Sequence, residues 1–301
     1  MVAVNEEERI AKENAEHPTF QKTVWREIRH DKMALGSLIV LLLILVSAYL
    51  SPFFIDQVQL ARINFLNMYN SPSMANWLGT DDGGRDVFGQ LLIGTRNSFT
   101  IGICVTLIAG LFGLTYGLIA GFYGGLVDNL MMRIVDFLMV LPSLMFIIVF
   151  VVIVPNYSLF SFILIMSAFA WFGKARLIRS RGLAERELDY INASKTLGTP
   201  SWRIMFFEMF PNLSSLVIVN MTLTLAGNIG LETGLTFLGF GLPAGTPSLG
   251  TLIAYARNPD IVLNKWWVWL PVALLILVMM LCINYVGQAV KRASDARQRL
   301  A

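Results

Sequence analysis

Long uncharged apolar runs, broken by short polar segments, dominate the chain and predict membrane helices. Met33 to Ile55 carries no charge, and the stretch before Ser51-Pro52 is long enough to cross about 30 Å of hydrocarbon. Asn97 to Val127 is a second uncharged run, of 31 residues, longer than a bilayer requires; it predicts one span over about 98–121 with the remainder bent or projecting. After Gly124-Gly125 a third helix is expected from about Asn129 to Val154, ended by Pro155-Asn156-Tyr157-Ser158. A fourth span is expected over 159–172, a fifth over 213–236 interrupted only by Glu232, and a sixth over 266–290.

The pattern predicts an all-α membrane protein with six transmembrane helices. Its expected organisation is a tail over 1–32, a first span over 33–55, a loop over 56–95, a five-span core over 96–290 containing a long loop at 174–211, and a second tail over 291–301. Lys and Arg mark the cytoplasmic side of such proteins. With the N-terminus inside, 18 basic residues fall inside and five outside, so both termini are expected in the cytoplasm and loop 56–95 outside. Trp266, Trp267 and Trp269 then open the sixth span at the outer headgroup level, or form a packing cluster there.

Composition agrees: 55% of residues are hydrophobic, 14% are charged, and mean hydropathy is +0.63. A soluble domain carries about 25% charged residues. The net charge of +3 is too small to suggest nucleic acid. Cys104 and Cys282 lie in apolar runs and His17 and His30 in the polar leader, which assembles no metal cluster or disulfide framework. The first 32 residues hold seven acids and six bases, too long and too acidic for the start of a secretory signal, and read as a retained cytoplasmic tail.

The internal loop has structure of its own. Lys174 to Leu188 combines five basic residues with good helix formers and reads as an extension of the fourth span along the headgroups. A short helix around Tyr190–Leu197 is expected to stop at Gly198, with Thr199 capping another helix that starts at Pro200 and precedes Pro211. A helix-turn-helix below a membrane bundle suits either a docking partner or a cover on the membrane surface.

The segment DYINASKTLGTPSWRIMFFEMFPN, Asp189 to Asn212, resembles the EAA signature of ABC importer permeases at Asn192, Ala193, Ser194, Gly198, Ile204 and Pro211. It departs from that signature at Asn192, where Glu is usual, and at Ser194, where the second Ala is usual. LGTDDGGRDVFGQLLIGTRNS (78–98), MRIVDFLMVLPSL (132–144) and LETGLTFLGFGLPAGTPSLGTLI (231–253) are similar to segments of the dipeptide/oligopeptide permease family, specifically its C-type subunit. The resemblance covers about residues 20–299. It implies one leader span plus a five-span core in a prokaryotic inner membrane. It also implies a complex with a second homologous permease subunit, two cytoplasmic ATPases that hold ATP and Mg2+, and an external peptide-binding protein. Within that complex Asp189, Asn192, Ala193, Ser194, Lys195, Gly198, Trp202, Ile204 and Pro211 would couple to the ATPases. Nickel and glutathione importers share this architecture, so the cargo stays open.

The chain has no phosphate-binding Gly-x-x-x-x-Gly-Lys-Ser/Thr, because Lys195-Thr196 follows Asn-Ala-Ser, and no catalytic triad or His-Glu-x-x-His. A non-catalytic subunit with no cofactor or metal of its own is expected. Gly113, Gly117, Gly121 and Gly125 recur every four residues, which favours close helix packing over lining a path. Arg133 and Asp136 are expected to pair at the inner mouth of the third span. Glu232, the one acid deep in an apolar run, needs a partner, a cavity or a proton. With Phe237, Gly239 and Gly241 it is expected to line the path or external gate, where Pro243 and Pro247 keep the backbone irregular. A secondary transporter using Glu232 or Asp136 as an ion site, or a non-transporting scaffold, are the competing classes.

Overall fold

The computed structural model describes residues 20–56, 60–155, 157–243 and 245–298. Part of the expected tail is helix α1 (Phe20–His30). One residue later Asp31 caps α2 (Lys32–Phe54), accepting from the main-chain N–H groups of Met33 at 2.9 Å and Ala34 at 3.2 Å. The long helix α3 (Val87–Tyr123) has 37 residues, about 56 Å at 1.5 Å each. It begins well before the expected residue 98 because Asp86 caps it, accepting from Gly89 N–H at 2.7 Å, and it ends at Gly124, whose φ is +62°.

The expected third helix is not one rod. It is α4 (Gly125–Val140) and α5 (Ser143–Ile153), bent by 79° at Leu141-Pro142. Pro142 has no N–H to donate and pushes Leu141 into extended backbone, at φ −68° and ψ 132°. A milder bend of 42° at Trp171 joins α6 (Leu159–Ala170) to α7 (Phe172–Glu185), the expected extension of the fourth span.

After α8 (Asp189–Thr196) the chain turns into α9 (Ser201–Arg203), a π-helical stretch Ile204–Met209 and α10 (Phe210–Phe237). Pro200, not Thr199, caps α9, so Ser201 is its first residue. Pro211 does not end this helix, contrary to expectation. Phe210 N–H reaches back five residues to the Met205 carbonyl, and this wider turn carries the helix past the residue that cannot donate. The chain closes with α11 (Leu249–Ile253), α12 (Pro259–Asn264) and α13 (Trp266–Gln298).

Among the described residues four helical stretches are long and apolar enough to span a membrane: α2, α3, the run Ser201–Phe237, and α13. The two bent pairs bring the number to the expected six if each counts as one span.

Helix α3 is the axis of the bundle. On α7 it packs through glycine: a Cβ on Gly113 would lie 2.9 Å from the Trp171 carbonyl oxygen, one on Gly117 2.5 Å from that of Ala175, and one on Gly121 3.0 Å from Gly182 Cα. The stripe is therefore a helix-packing surface. Gly125 is not part of it, having open space around it, and Gly182 on the facing helix is a member that spacing on α3 could not reveal. On its other sides α3 shares a core with α2, α10, α11 and α13 through Leu41, Phe99, Ile229, Leu249 and Met279.

Contacts also set the sides of the bundle. Tyr49 near the end of α2 bonds Thr100 in the first half of α3, at 2.8 Å, and Arg292 near the end of α13 pairs with Glu27 and Asp31. Ile191 of α8 joins Leu118 and Phe122 at the other end of α3. Both described ends of the chain thus lie on the side of the 189–211 turn, opposite the loop that precedes α3.

Candidate functional site

Glu232 lies one and a half turns before the end of α10 and is 0% exposed. Thr236 donates to its Oε1 at 3.1 Å and Thr233 to its Oε2 at 3.3 Å, and the hydroxyls of Ser98 and Ser248 neighbour the same carboxyl group. Ser98 belongs to α3, and Ser248 caps α11. The two threonine bonds offset part of the cost of taking a carboxyl group out of water, and Glu232 lies at a three-way joint where Ser98 of α3 bonds Leu249 N–H and Gly250 presses on Thr233 and Thr236 of α10. Sequence could not name these partners because two of them are distant in the chain.

The Gly/Pro segment expected at the gate is held against this joint. Gly239, at φ +93°, ends α10, with its own N–H on the Thr236 carbonyl and Phe240 N–H on that of Leu235. The chain then passes so close to α10 that a Cβ on Gly241 or Gly250 would strike Thr236. Asn97 donates to the Pro247 carbonyl at 2.8 Å and Leu249 N–H to Ser98 at 3.0 Å, fixing irregular backbone to α3 where it is shielded by protein. Phe237 sits under the Arg257 guanidinium, 5.9 Å from ring centroid to Cζ.

Sequence reasoning missed the neighbouring cluster built on Asp81, the first acid of the Asp81-Asp82-Gly83-Gly84-Arg85 run. Asp81 is 0% exposed and accepts from the N–H groups of Gly83 and Arg85, from Arg85 Nε at 2.8 Å and from Gln90 Nε2 at 2.8 Å. The Tyr255 hydroxyl reaches this cluster, and burial pushes its phenol well above the ordinary range. Its signal in sequence is the acid-Gly-Gly-Arg turn, which requires φ > 0 at Gly84 (+69°). Between cluster and joint opens a cavity of about 360 Å³ lined by Arg85, Gln90, Thr236, Tyr255 and Arg257, able to meet a polar solute with both donors and acceptors.

At the other end of α3, α8 is anchored by Ile191 and by Ile204 of the π turn, both buried among Leu118, Phe122 and Met209. Ile204 is therefore a core residue. The other expected coupling positions, Asp189, Asn192, Ala193, Lys195, Gly198, Trp202 and Pro211, are exposed, and Ser194 is half-buried. Gly198 takes φ +81°, with its N–H on the Lys195 carbonyl and Thr199 N–H on that of Ser194, so it stops α8 as expected. Leu197 beside it is 85% exposed, and Trp202 stacks edge-on with Phe207 at 5.9 Å.

The two departures from the EAA pattern have partners here. Asn192 Nδ2 donates to the Glu187 carbonyl at 3.2 Å, and the Ser194 hydroxyl donates to Glu208 Oε1 at 2.7 Å, tying α8 to the π turn. Lys195 Nζ lies 5.2 Å above the Phe122 ring. The expected Arg133–Asp136 pair is not formed. Asp136 is met by Arg176 of α7, and Arg133 is exposed with no carboxylate in ion-pair range among the described residues. Two turns earlier Asp128 is met by Arg179, so α4 is pinned to α7 at two points and spacing along α4 misled.

Residues 113–300 match the family described as binding-protein-dependent transport system inner membrane component, and residues 19–72 match the N-terminal TM domain of oligopeptide transport permease C. The chain is 48% identical, over 92% of its length and 94% of the relative's, to the oligopeptide transport system permease protein OppC of Lactococcus lactis subsp. cremoris. It is 35% identical to OppC of Bacillus subtilis, covering 92% of this chain and 91% of that one. With the dipeptide transport system permease protein DppC of Bacillus subtilis it shares 33% identity, over 98% of this chain and 92% of that one. A bundle of four to six membrane-length helices, a glycine-stopped turn at one end and relatives matched along almost their whole length together place this chain in the family of binding-protein-dependent transport system inner membrane components, as a multi-pass permease subunit.

Proposed function

We propose that this chain is one permease subunit of an ATP-driven peptide importer, forming half of the translocation path beside a second homologous permease. An external binding protein delivers peptide to the side bearing Asp81, Tyr255 and the 360 Å³ cavity. Two cytoplasmic ATPases engage the turn at 189–211, and both termini lie in the cytoplasm with it. ATP and Mg2+ are held by those ATPases.

The observation that carries this reading is the build of the turn. Ile191 and Ile204 fix it to the end of α3, while Leu197, Gly198 and Trp202 stand exposed on it. A segment rigidly joined to the central helix transmits a push to the bundle, and apolar groups left in water favour a partner. The peptide cargo is supported by the names of the relatives, and the polar cavity suits a polar solute.

The test is uptake of a labelled peptide by the reconstituted complex. Gly198→Val forces a branched side chain to φ +81°; it should leave the spans assembled and abolish ATP-dependent uptake or release the ATPases. Peptide uptake at the wild-type rate with ATPases bound would remove the turn from energy coupling. Transport of nickel or glutathione with no peptide uptake would overturn the cargo. Reporters placed after Ala301 and near Glu187 should read cytoplasm, and one near Asn70 outside.

A further inference from the structure

We propose that the outer face of α1 is a binding site for the phosphate of an anionic phospholipid headgroup, held by Lys22, Arg26 and Arg29. These residues stand at i, i+4 and i+7, so they share one face of the helix, and all three are exposed. The opposite face is occupied: Ile28 packs with Ala34 and Ala289, joining α1 to α2 and α13. Glu27 and Asp31, the acids nearest in sequence, both meet Arg292 of α13. Among the described residues no carboxylate lies in ion-pair range of Lys22, Arg26 or Arg29.

Position supplies the second argument. α1 ends one residue before α2, whose uncharged run starts at Met33, so covalent connection holds α1 at the headgroup level whichever way the chain is inserted. The site is an open hollow along α1. Lys22, Trp25, Arg26, Arg29 and His30 line a pocket of about 440 Å³, and the half-exposed Trp25 ring, with Arg29 5.9 Å from its centroid, supplies the amphipathic surface that favours this depth. Three cations with no carboxylate partner among the described residues, at the level of lipid phosphates, are complementary to an anionic headgroup and not to a zwitterionic one.

The experiment uses the full-length chain in neutral detergent, with dioctanoyl phosphatidylglycerol as the probe and native mass spectrometry as the readout. Wild type should retain this lipid in preference to dioctanoyl phosphatidylcholine, and inorganic phosphate should not displace it. The triple variant Lys22→Gln, Arg26→Gln, Arg29→Gln should bind it about a hundredfold more weakly, which is three contributions of about 1 kcal/mol at 1.4 kcal/mol per tenfold. The charge-keeping variant Lys22→Arg, Arg26→Lys, Arg29→Lys should retain it. Equal retention by wild type and the Gln variant overturns the proposal, as does equal retention of phosphatidylcholine. Binding that appears only once residues 1–19 are removed also overturns it, assigning this face to the chain's own acidic leader.

Discussion

The Tyr255 hydroxyl lies 3.1 Å from Asp81 Oδ2, joining residues 174 positions apart. The same hydroxyl is 2.8 Å from Asp82 Oδ1, and Arg85 Nη2 donates to it at 3.2 Å. The loop before α3 and the segment after α11 are thereby closed on each other beside the cavity. Tyr255→Phe removes the hydroxyl but leaves Asp81 its bonds to Gly83, Arg85 and Gln90. The expected loss is about 1 kcal/mol, seen as a lower thermal midpoint and faster amide exchange over residues 79–86. Unchanged exchange there would show that the hydroxyl does not hold the loop.

Asp81→Asn should be worse, because the amide puts an N–H group opposite donors from Arg85 or Gln90. A buried donor facing a donor costs about 1–3 kcal/mol. Thermal unfolding of the purified variant measures it, and a loss no greater than that of Tyr255→Phe would show that the cluster is not organised by Asp81.

Glu232→Gln keeps an oxygen acceptor for the hydroxyls of Thr233 and Thr236, whereas Glu232→Leu leaves both hydroxyls to find other acceptors beside Ser98 and Ser248. The Gln variant should assemble nearly normally. The Leu variant should lose about 1–3 kcal/mol, read as a lower thermal midpoint and loss of the sister permease on purification. Equal stability of the two would reduce Glu232 to a space-filling group.

Gly117→Val places a branched side chain where even a Cβ would lie 2.5 Å from the Ala175 carbonyl oxygen. The neighbour is backbone and cannot swing away, so α3 and α7 must separate. A cost of about 1–3 kcal/mol or more is expected, visible as poor recovery of monodisperse protein. Gly173→Val, a glycine with open space around it, is the control and should be recovered normally.

The junction of α7 and α8 carries a pH signature outside the spans. Burial pushes the Tyr190 phenol up to about 12, aided by its hydrogen bond to Glu185 at 2.6 Å. A phenol raised above its ordinary value of about 10 contributes stability that is fully present below that pH and is lost as pH rises through about 12. The tyrosinate absorbance difference between wild type and Tyr190→Phe should therefore have its midpoint near 12. Asn212 Nδ2 donates to the Tyr190 hydroxyl at 2.7 Å and to Glu185 Oε1 at 3.1 Å, and a midpoint at the ordinary value would mean that this Glu185–Tyr190–Asn212 contact opens in solution.

The apolar runs, by length alone, determined that this is a helical membrane protein. Local chemistry also determined the stop at Gly198, since a left-handed residue after a short helix is a property of a few consecutive positions. The four-residue glycine spacing marked a close-packing face because backbone approach depends on one face of one helix. Tertiary structure decided the rest. Glu232 gains Ser98 and Ser248 as neighbours only when α10 and α11 meet α3, and Asp136 pairs with Arg176 across to α7 instead of with Arg133 on its own helix. Pro142 and Pro211 show the same division. Both lack an N–H group, yet one bends its helix by 79° while the other is carried through by a π turn whose Ile204 and Met209 are held in the core. What a missing donor does to a helix depends on what surrounds it, and a linear sequence does not display its surroundings.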